Sequence, residues 1–290
     1  MANAITKFKK YIDRLDAVYK NASLTADLDG DNTLVRDGAN ANEIIVPKMS
    51  LDGLADYSRN GGYVSGDVTL TNETVAFNYD RGRKFGVDAM DNEETAGVAF
   101  GKLGSEFIRT KVVPEVDAFR FATYAGINGI STTTGANLST GADVIGALRA
   151  ATSKMDEDEV PFENRILYIT PTLMGLVQDL DTSKSREVLD RFSKIVLVPQ
   201  TRFYTAIDLN DGTTSGEEAG GYAKATGAKN INFMVIQKDA VLQYPKHIVN
   251  KVISPELNQE SDKWLFFFRE YGLADVYDNK VAGIYLHKAA

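Results

Sequence analysis

Apolar and polar residues alternate with a period of two over residues 63–80, and no other stretch constrains the chain as much. Val64, Val68 and Leu70 are interleaved with Ser65, Asp67, Thr69 and Thr71. After Asn72-Glu73 the pattern resumes, with Val75, Phe77 and Tyr79 set against Ala76 and Asn78. Two β-rich runs about a polar turn predict a hairpin, punctuated by Gly61-Gly62 before it and Gly82 after it. An isolated two-stranded hairpin is marginal in water, so this one has to pack on something else.

The chain ahead of it offers little core. Ile5, Phe8, Ile12 and Leu15 recur at helical spacing in a short basic segment that carries Lys7, Lys9, Lys10 and Arg14. Residues 21–42 are poor in aromatics and rich in Asp, Asn, Ala and Gly. They predict an extended arm, either a loose terminus or a segment that orders only against a neighbouring subunit. Behind the hairpin, Phe100, Leu103 and Phe107 form a helical stripe. Pro114 either kinks one long helix or opens a second, nearly coaxial one that stops at Gly126. A Gly/Ser/Thr-rich join follows at 127–141, the best place for a domain boundary. Helices and strands then alternate, with strands at 165–170, 195–198, 231–237 and 241–244 and a polar, Gly/Ala-crowded insert at 208–230. Residues 264–287 predict three strands, broken at Gly272 and at Asp278-Asn279-Lys280. Alternation in the middle and strands in series at the end make this a mixed α/β (α+β) chain.

At 290 residues and 43% hydrophobic content the chain can bury a full core without staples. What it lacks narrows the function. Cysteine is absent and His247 and His287 are the only histidines. Disulfides, thiolate metal sites, cysteine nucleophiles and three-histidine metal centres are therefore excluded. A net charge of −8 argues against gripping nucleic acid through a broad basic face. The run from Gly97 to Leu103 approaches a P-loop, but it has three residues between its glycines and no Ser/Thr after Lys102. Asp27-Leu28-Asp29-Gly30-Asp31 opens like a calcium loop, yet Asn32 stands where glycine is needed and Gly38 where a bidentate Glu is needed. The acidic run Asp156-Glu157-Asp158-Glu159 reads as a solvated turn, and both histidines as surface or sheet-edge residues. Arg81, Arg83 and Lys84 suit either a phosphate or an acidic neighbour. No catalytic, cofactor or metal site is expected. The first residues hold no apolar run of signal-peptide length and the longest apolar runs are strand-sized, which predicts a soluble chain made in a cytoplasm.

Three stretches carry a family likeness: Lys238-Asp-Ala-Val-Leu-Gln-Tyr-Pro-Lys-His-Ile-Val-Asn-Lys-Val-Ile-Ser-Pro255, then Trp264-Leu-Phe-Phe-Phe-Arg-Glu-Tyr-Gly-Leu-Ala-Asp-Val-Tyr-Asp-Asn-Lys-Val-Ala-Gly-Ile-Tyr-Leu-His287, and Arg165-Ile-Leu-Tyr-Ile-Thr-Pro171. Together with the order of elements, they give a chain that resembles the major capsid proteins of tailed bacteriophages, the Hong Kong 97-type fold. The likeness covers nearly the whole chain in order and length. It implies an N-terminal arm at 1–46 and an extended β-hairpin loop at 47–87. It implies a peripheral domain at 88–134 and 245–290, built from a spine helix and the terminal strands. The axial domain would be 135–244, with the insert 208–230 near the capsomer axis.

The resemblance also implies partners. Copies of the chain would form hexamers and pentamers of an icosahedral shell around double-stranded DNA, in a virion assembled in the host cytoplasm, with scaffold and portal proteins and no membrane. Tyr63, Val68, Leu70, Phe77, Tyr79, Arg81, Arg83 and Lys84 are the candidate inter-subunit contacts. Lys7, Lys9, Lys10 and Arg14 are the candidates for weak, sequence-independent DNA contact. Some family members fuse their shells covalently through a lysine on the extended loop. No lysine lies between Lys48 and Lys84, so a non-covalent shell is expected. No long charged helical segment precedes the arm, so assembly is expected to need a separate scaffold or a pre-segment already removed. The rivals are an encapsulin-type bacterial compartment of the same fold, a small-molecule α/β enzyme and an adhesin module.

Overall fold

The computed structural model describes residues 23–30, 36–37, 43–94, 98–180 and 183–290. Lys7, Lys9, Lys10, Arg14 and the helix expected around them, most of the arm, and Gly97 lie outside the described residues. No helix among those described is long and apolar enough to cross a membrane.

The hairpin exists, but not where the alternation placed it. A short strand β1 (Arg36–Asp37) pairs with β2 (Glu43–Leu51), and β2 pairs antiparallel with β3 (Val68–Ala76). The register runs from Glu43 opposite Ala76 to Leu51 opposite Val68, so β3 passes straight through Asn72-Glu73. The turn is the segment 52–67 beyond Leu51. Asn72 and Glu73 are merely successive strand positions on opposite faces, with Pro47 and Val46 across from them. Alternation identified a strand here without identifying its partner, which lies upstream.

The chain turns its corner at Asn78. The Asn78 side-chain amide donates to the Ala274 carbonyl (2.8 Å) and accepts the Ala274 N–H (3.1 Å), imitating one rung of a ladder. Strand β4 (Tyr79–Asp88) then enters a different three-stranded sheet. It pairs with β12 (Lys263–Val276), which pairs with β11 (Val241–Ile253), both antiparallel. Gly272 does not break β12. It sits between Tyr79 and Pro245, where a Cβ would come within 3.2 Å of the Tyr244 carbonyl oxygen, and glycine lets the strand continue past the register shift at Pro245.

A short helix α1 (Ala89–Glu94) leads to the long helix, which resolves the question posed by Pro114. It consists of α2 (Val98–Phe107), a widened π-type turn at Ile108–Val112, and α3 (Val113–Gly126). Pro114 has no N–H to donate to Thr110, and its ring would crowd that carbonyl in a regular helix. The π-type turn, closed by Val113 N–H to the Ile108 carbonyl, absorbs the misfit immediately ahead of the proline. The rod therefore continues. Its face of Ile108, Val112, Val113 and Val116 packs on Tyr79, Phe266 and Phe268 of the three-stranded sheet.

The third unit is a five-stranded sheet. In sequence order its strands are β5 (Ser131–Thr132), β6 (Arg165–Ile169), β7 (Lys194–Leu197), β10 (Ile231–Gln237) and β13 (Ile284–Lys288). Their spatial order is β5-β13-β10-β6-β7. The last strand therefore pairs with β10 and does not complete the peripheral sheet, as the resemblance had implied. Ile284, Tyr285, Leu286 and His287 are all buried, which is what a central strand covered on both faces requires. One face packs on α4 (Gly141–Glu157) and its short companions α5 (Pro171–Gln178) and α6 (Ser183–Leu189), with Val144, Leu148 and Met155 against Leu167, Phe233 and Tyr285. The other face meets Phe121 and Tyr124 at the end of the long helix. Thr140 and Asp143 form a reciprocal capping box at the start of α4. A Cβ on Gly141 would lie 2.2 Å from the Leu176 carbonyl oxygen, so glycine is what allows α4 and α5 to approach.

Candidate assembly surfaces

The hairpin changes its apolar face along its length. Near the root, Ile44, Val46 and Val75 point to the body and pack with Leu242 and Leu273. Further out the same face carries Lys48, Ser50, Thr69 and Thr71, and the apolar residues pass to the opposite face. There Met49 stands directly across from Leu70, and Leu51 from Val68. All four are between 58% and 67% exposed. The tip adds Leu54, Tyr57, Tyr63 and Val64, also exposed. It is ordered by its own contacts: Tyr57 and Tyr63 meet edge to face at 4.9 Å, Ser58 and Gly62 exchange backbone hydrogen bonds, and the Asp52 carboxylate accepts the Asp67 N–H at 2.8 Å. A contiguous apolar strip on an ordered arm is a surface prepared for another protein.

The predicted contact residues divide accordingly. Tyr63, Val68 and Leu70 lie on this outward surface. Phe77 is half-buried and stacks on Tyr271 at 4.8 Å, with the Lys246 amine over its ring. Tyr79 is a core residue whose hydroxyl meets Glu115 at 3.2 Å, so it is not available to a neighbour. Arg81 is occupied within the chain, bonding Glu115 (2.8 Å) and the Gly221 carbonyl (3.2 Å). Arg83 donates to the Glu218 carbonyl at 2.8 Å, and Lys84 lies over the Phe267 ring on the opposite face of the sheet.

Arg81 and Arg83 thus seat the Gly-rich insert on β4. The insert contains a small ribbon of β8 (Ile207–Leu209) and β9 (Tyr222–Lys224). Its turn is tied by Asp211, whose carboxylate accepts Thr213 N–H, Thr214 N–H and the Thr214 hydroxyl. These bonds, the Thr214 hydroxyl foremost, hold that carboxyl far below the usual range. Between insert, β4 and long helix lies a cavity of about 580 Å³, lined by Phe85, Leu103, Phe107 and Phe268, with Arg81 and Glu115 at its polar end. The insert is therefore clasped to the peripheral sheet and does not stand free of it, a placement that its polar, small-residue composition did not disclose.

A second surface joins the arm to the body. Asp117, fully buried on α3, accepts Ser23 Oγ (2.9 Å), Leu24 N–H (3.1 Å), Thr25 N–H (3.3 Å) and Thr25 Oγ1 (2.9 Å), and Arg202 reaches it at 3.3 Å. Gln243 donates to the Thr25 carbonyl, and Arg120 to the Thr25 hydroxyl. Asp27 pairs with Lys194 and Asp29 accepts from Gln243, so these two carboxylates of the calcium-like motif fasten the arm to the body. Leu28 between them is buried. Sequence reading missed Asp117 because one acidic residue in a helical pattern looks like part of a solvated face. The acidic run after α4 is also engaged: Asp156 bridges Arg165 and Arg191, both at 2.8 Å. No group of three or more potential metal ligands is found among the described residues. His287 is not a surface residue. It is buried, stacked on Phe233 at 4.9 Å, with Asn232 Nδ2 3.1 Å from its Nδ1, and burial lowers its pKa.

Sequence comparison finds no matching family model and no matching curated protein. Solved structures do match. One, from Mycobacterium phage Che8, has a TM-score of 0.60 at 14% identity and covers 91% of this chain and 90% of its own. A virus-like particle from Pyrococcus furiosus gives 0.63 at 11% identity, over 97% and 99% of the two chains. The capsid of Myoviridae phage XM1 gives 0.54 at 11% identity, over 92% and 91%. With its hairpin arm, long helix and two sheets, the chain has the fold of a viral-type shell subunit. In particular, it is the mixed α+β Hong Kong 97-type capsid fold.

Proposed function

We propose that the chain is the major capsid protein of a tailed bacteriophage, a structural subunit without catalytic activity. Copies of it associate into hexamers and pentamers of a non-covalent icosahedral shell around double-stranded DNA. The observation that carries this reading is the outward apolar strip of Met49, Leu51, Val68 and Leu70, joined to an ordered tip that touches nothing of its own body. Burying such a strip at about 25 cal/mol per Å² supplies affinity, while charged rim groups set register. Coverage of nearly the full chain by phage structures supports the reading. On this proposal the arm is 1–46, the extended loop 47–87, the peripheral domain 88–134 with 245–283, and the axial domain 135–244 with Ile284–Lys288 added to it. Scaffold and portal proteins would be its assembly partners, and Lys7, Lys9, Lys10 and Arg14 its weak contacts to packaged DNA. Electron microscopy of the expressed chain with its neighbouring gene products tests this: closed shells or capsomer rings are expected, and a compact monomer under all conditions would refute it.

One observation favours a second reading. The virus-like particle covers 97% of this chain, so an encapsulin-type compartment remains the rival. Purified particles decide between them, since DNA inside supports the capsid and packaged protein supports the compartment.

A further inference from the structure

We infer that the junction between hairpin and body is an acid-sensitive hinge, in which Glu73 on the hairpin and Asp278 on the body hold each other while they share a proton. It rests on the reading of the hairpin as the docking arm, and it concerns how that arm is aimed. The geometry defines a fulcrum. Ile44, Val46 and Val75 are the last apolar contacts of the hairpin with the body. One step further out, Lys48 Nζ meets Asp278 Oδ2 at 3.0 Å, and the Glu73 carboxyl lies within hydrogen-bonding reach of Asp278. Beyond these two residues the hairpin side chains stand in solvent. Whatever happens at Lys48, Glu73 and Asp278 is therefore transmitted to the whole apolar arm.

The charges in reach of Glu73 are Lys48 on β2, Asp278 after β12, and Asp275 at the end of β12. Glu43 belongs to the opposite face of the hairpin. Lys280 is directed to the Asp239 carbonyl and the Tyr277 ring, and Lys246 to Phe77. When all are ionised, three carboxylates face one ammonium. Burial, then the Asp278 charge, raises the Glu73 pKa above its ordinary 4.5, and burial likewise raises Asp275. The sign follows. An acid whose pKa is raised in the closed arrangement favours that arrangement at low pH, and the clamp weakens as pH rises through the raised value. Acid holds the hairpin against the body; neutral pH loosens it.

The absence of cysteine makes the test direct. Spin labels on Asn60→Cys at the tip and Glu256→Cys on the body report the arm's angle in the unassembled subunit. The distance distribution is expected to be narrow at about pH 5 and about twofold broader at about pH 8. Glu73→Gln and Asp278→Asn, each a neutral partner for the remaining carboxyl, should keep it narrow at both. A distribution indifferent to pH in the parent chain, or a parental pH response in both variants, overturns the hinge. Circular dichroism checks that each variant is folded, and either one suffices. Because distances are read on free subunits, a chain that swings but never assembles refutes the docking reading and leaves the hinge standing.

Discussion

The Asp117 carboxylate on the long helix accepts the Ser23 hydroxyl at 2.9 Å across 94 residues of sequence. With Leu24 and Thr25 it receives four such donors, and it is fully buried. Asparagine in its place would keep one acceptor oxygen and turn an amide donor toward groups that are themselves donors. Asp117→Asn should cost about 3 kcal/mol in denaturant unfolding, because it leaves Arg202 and the arm donors without their anion. The loss should be local first. Hydrogen exchange at Leu24 and Thr25 should accelerate well beyond that of β10, and equal acceleration everywhere would mean that the arm is not latched at this point.

The two faces of the hairpin should respond oppositely to mutation. Leu70 is exposed, so Leu70→Asp should change subunit stability by no more than about 0.5 kcal/mol. Leu273, buried beneath the hairpin root, should lose about 3 kcal/mol as alanine. Assembly followed by light scattering should invert that ranking, with Leu70→Asp abolishing particles. Normal shells from Leu70→Asp would show that the strip is not a docking surface.

Glu159 closes helix α4 in a left-handed conformation, with φ of 57°, while Val160 N–H reaches back to the Met155 carbonyl at 3.0 Å. Glycine adopts that conformation without the Cβ clash. Relief of about 1 kcal/mol is partly offset by the greater freedom of glycine in the unfolded chain. Glu159→Gly should therefore raise stability by about 0.5 kcal/mol, read as a small increase in Tm. A decrease would show that the carboxylate contributes more than the backbone strain costs.

His287 carries a pH signature of its own. Burial lowers its pKa, so the folded chain keeps it neutral where the unfolded chain begins to take a proton. Its contribution to stability is complete above about pH 6.5 and is lost as pH falls toward the depressed folded value. Denaturant midpoints should fall on going from about pH 7.5 to about pH 5.5, and His287→Phe, which keeps the stack on Phe233, should flatten that part of the slope. An unchanged slope in the variant would assign the effect to carboxylates.

Some of this was legible in the sequence and some was not, for physical reasons. Alternation at 63–80 correctly marks strand residues, since parity is a local property. Strand pairing is not local, so Val68–Ala76 could not announce that its partner is Glu43–Leu51. Pro114 was legible because its missing N–H has one consequence wherever it sits. Ile284–Lys288 was placed in the wrong sheet because a short apolar strand near the end of a chain fits any sheet with a vacancy. The arm anchor and the Glu73–Asp278 fulcrum were invisible, as single carboxylates acquire meaning only from the residues folded against them.

Lys48 finally bears on how the shell is held. It is the last lysine before the hairpin tip, the next is Lys84 in β4, and the segment between presents Arg59 as its only cation. A covalent bond from an extended loop to a neighbour needs a neutral amine able to attack an amide, and an arginine guanidinium stays protonated and cannot serve. Lys48 itself is held at the root by Asp278 at 3.0 Å, on the face turned to its own body. Mature particles boiled in denaturant should therefore run as one band of 31.7 kDa. A ladder of linked subunits would sink this expectation, and Lys48→Arg, which keeps the ion pair, would then show whether the root lysine had been the donor.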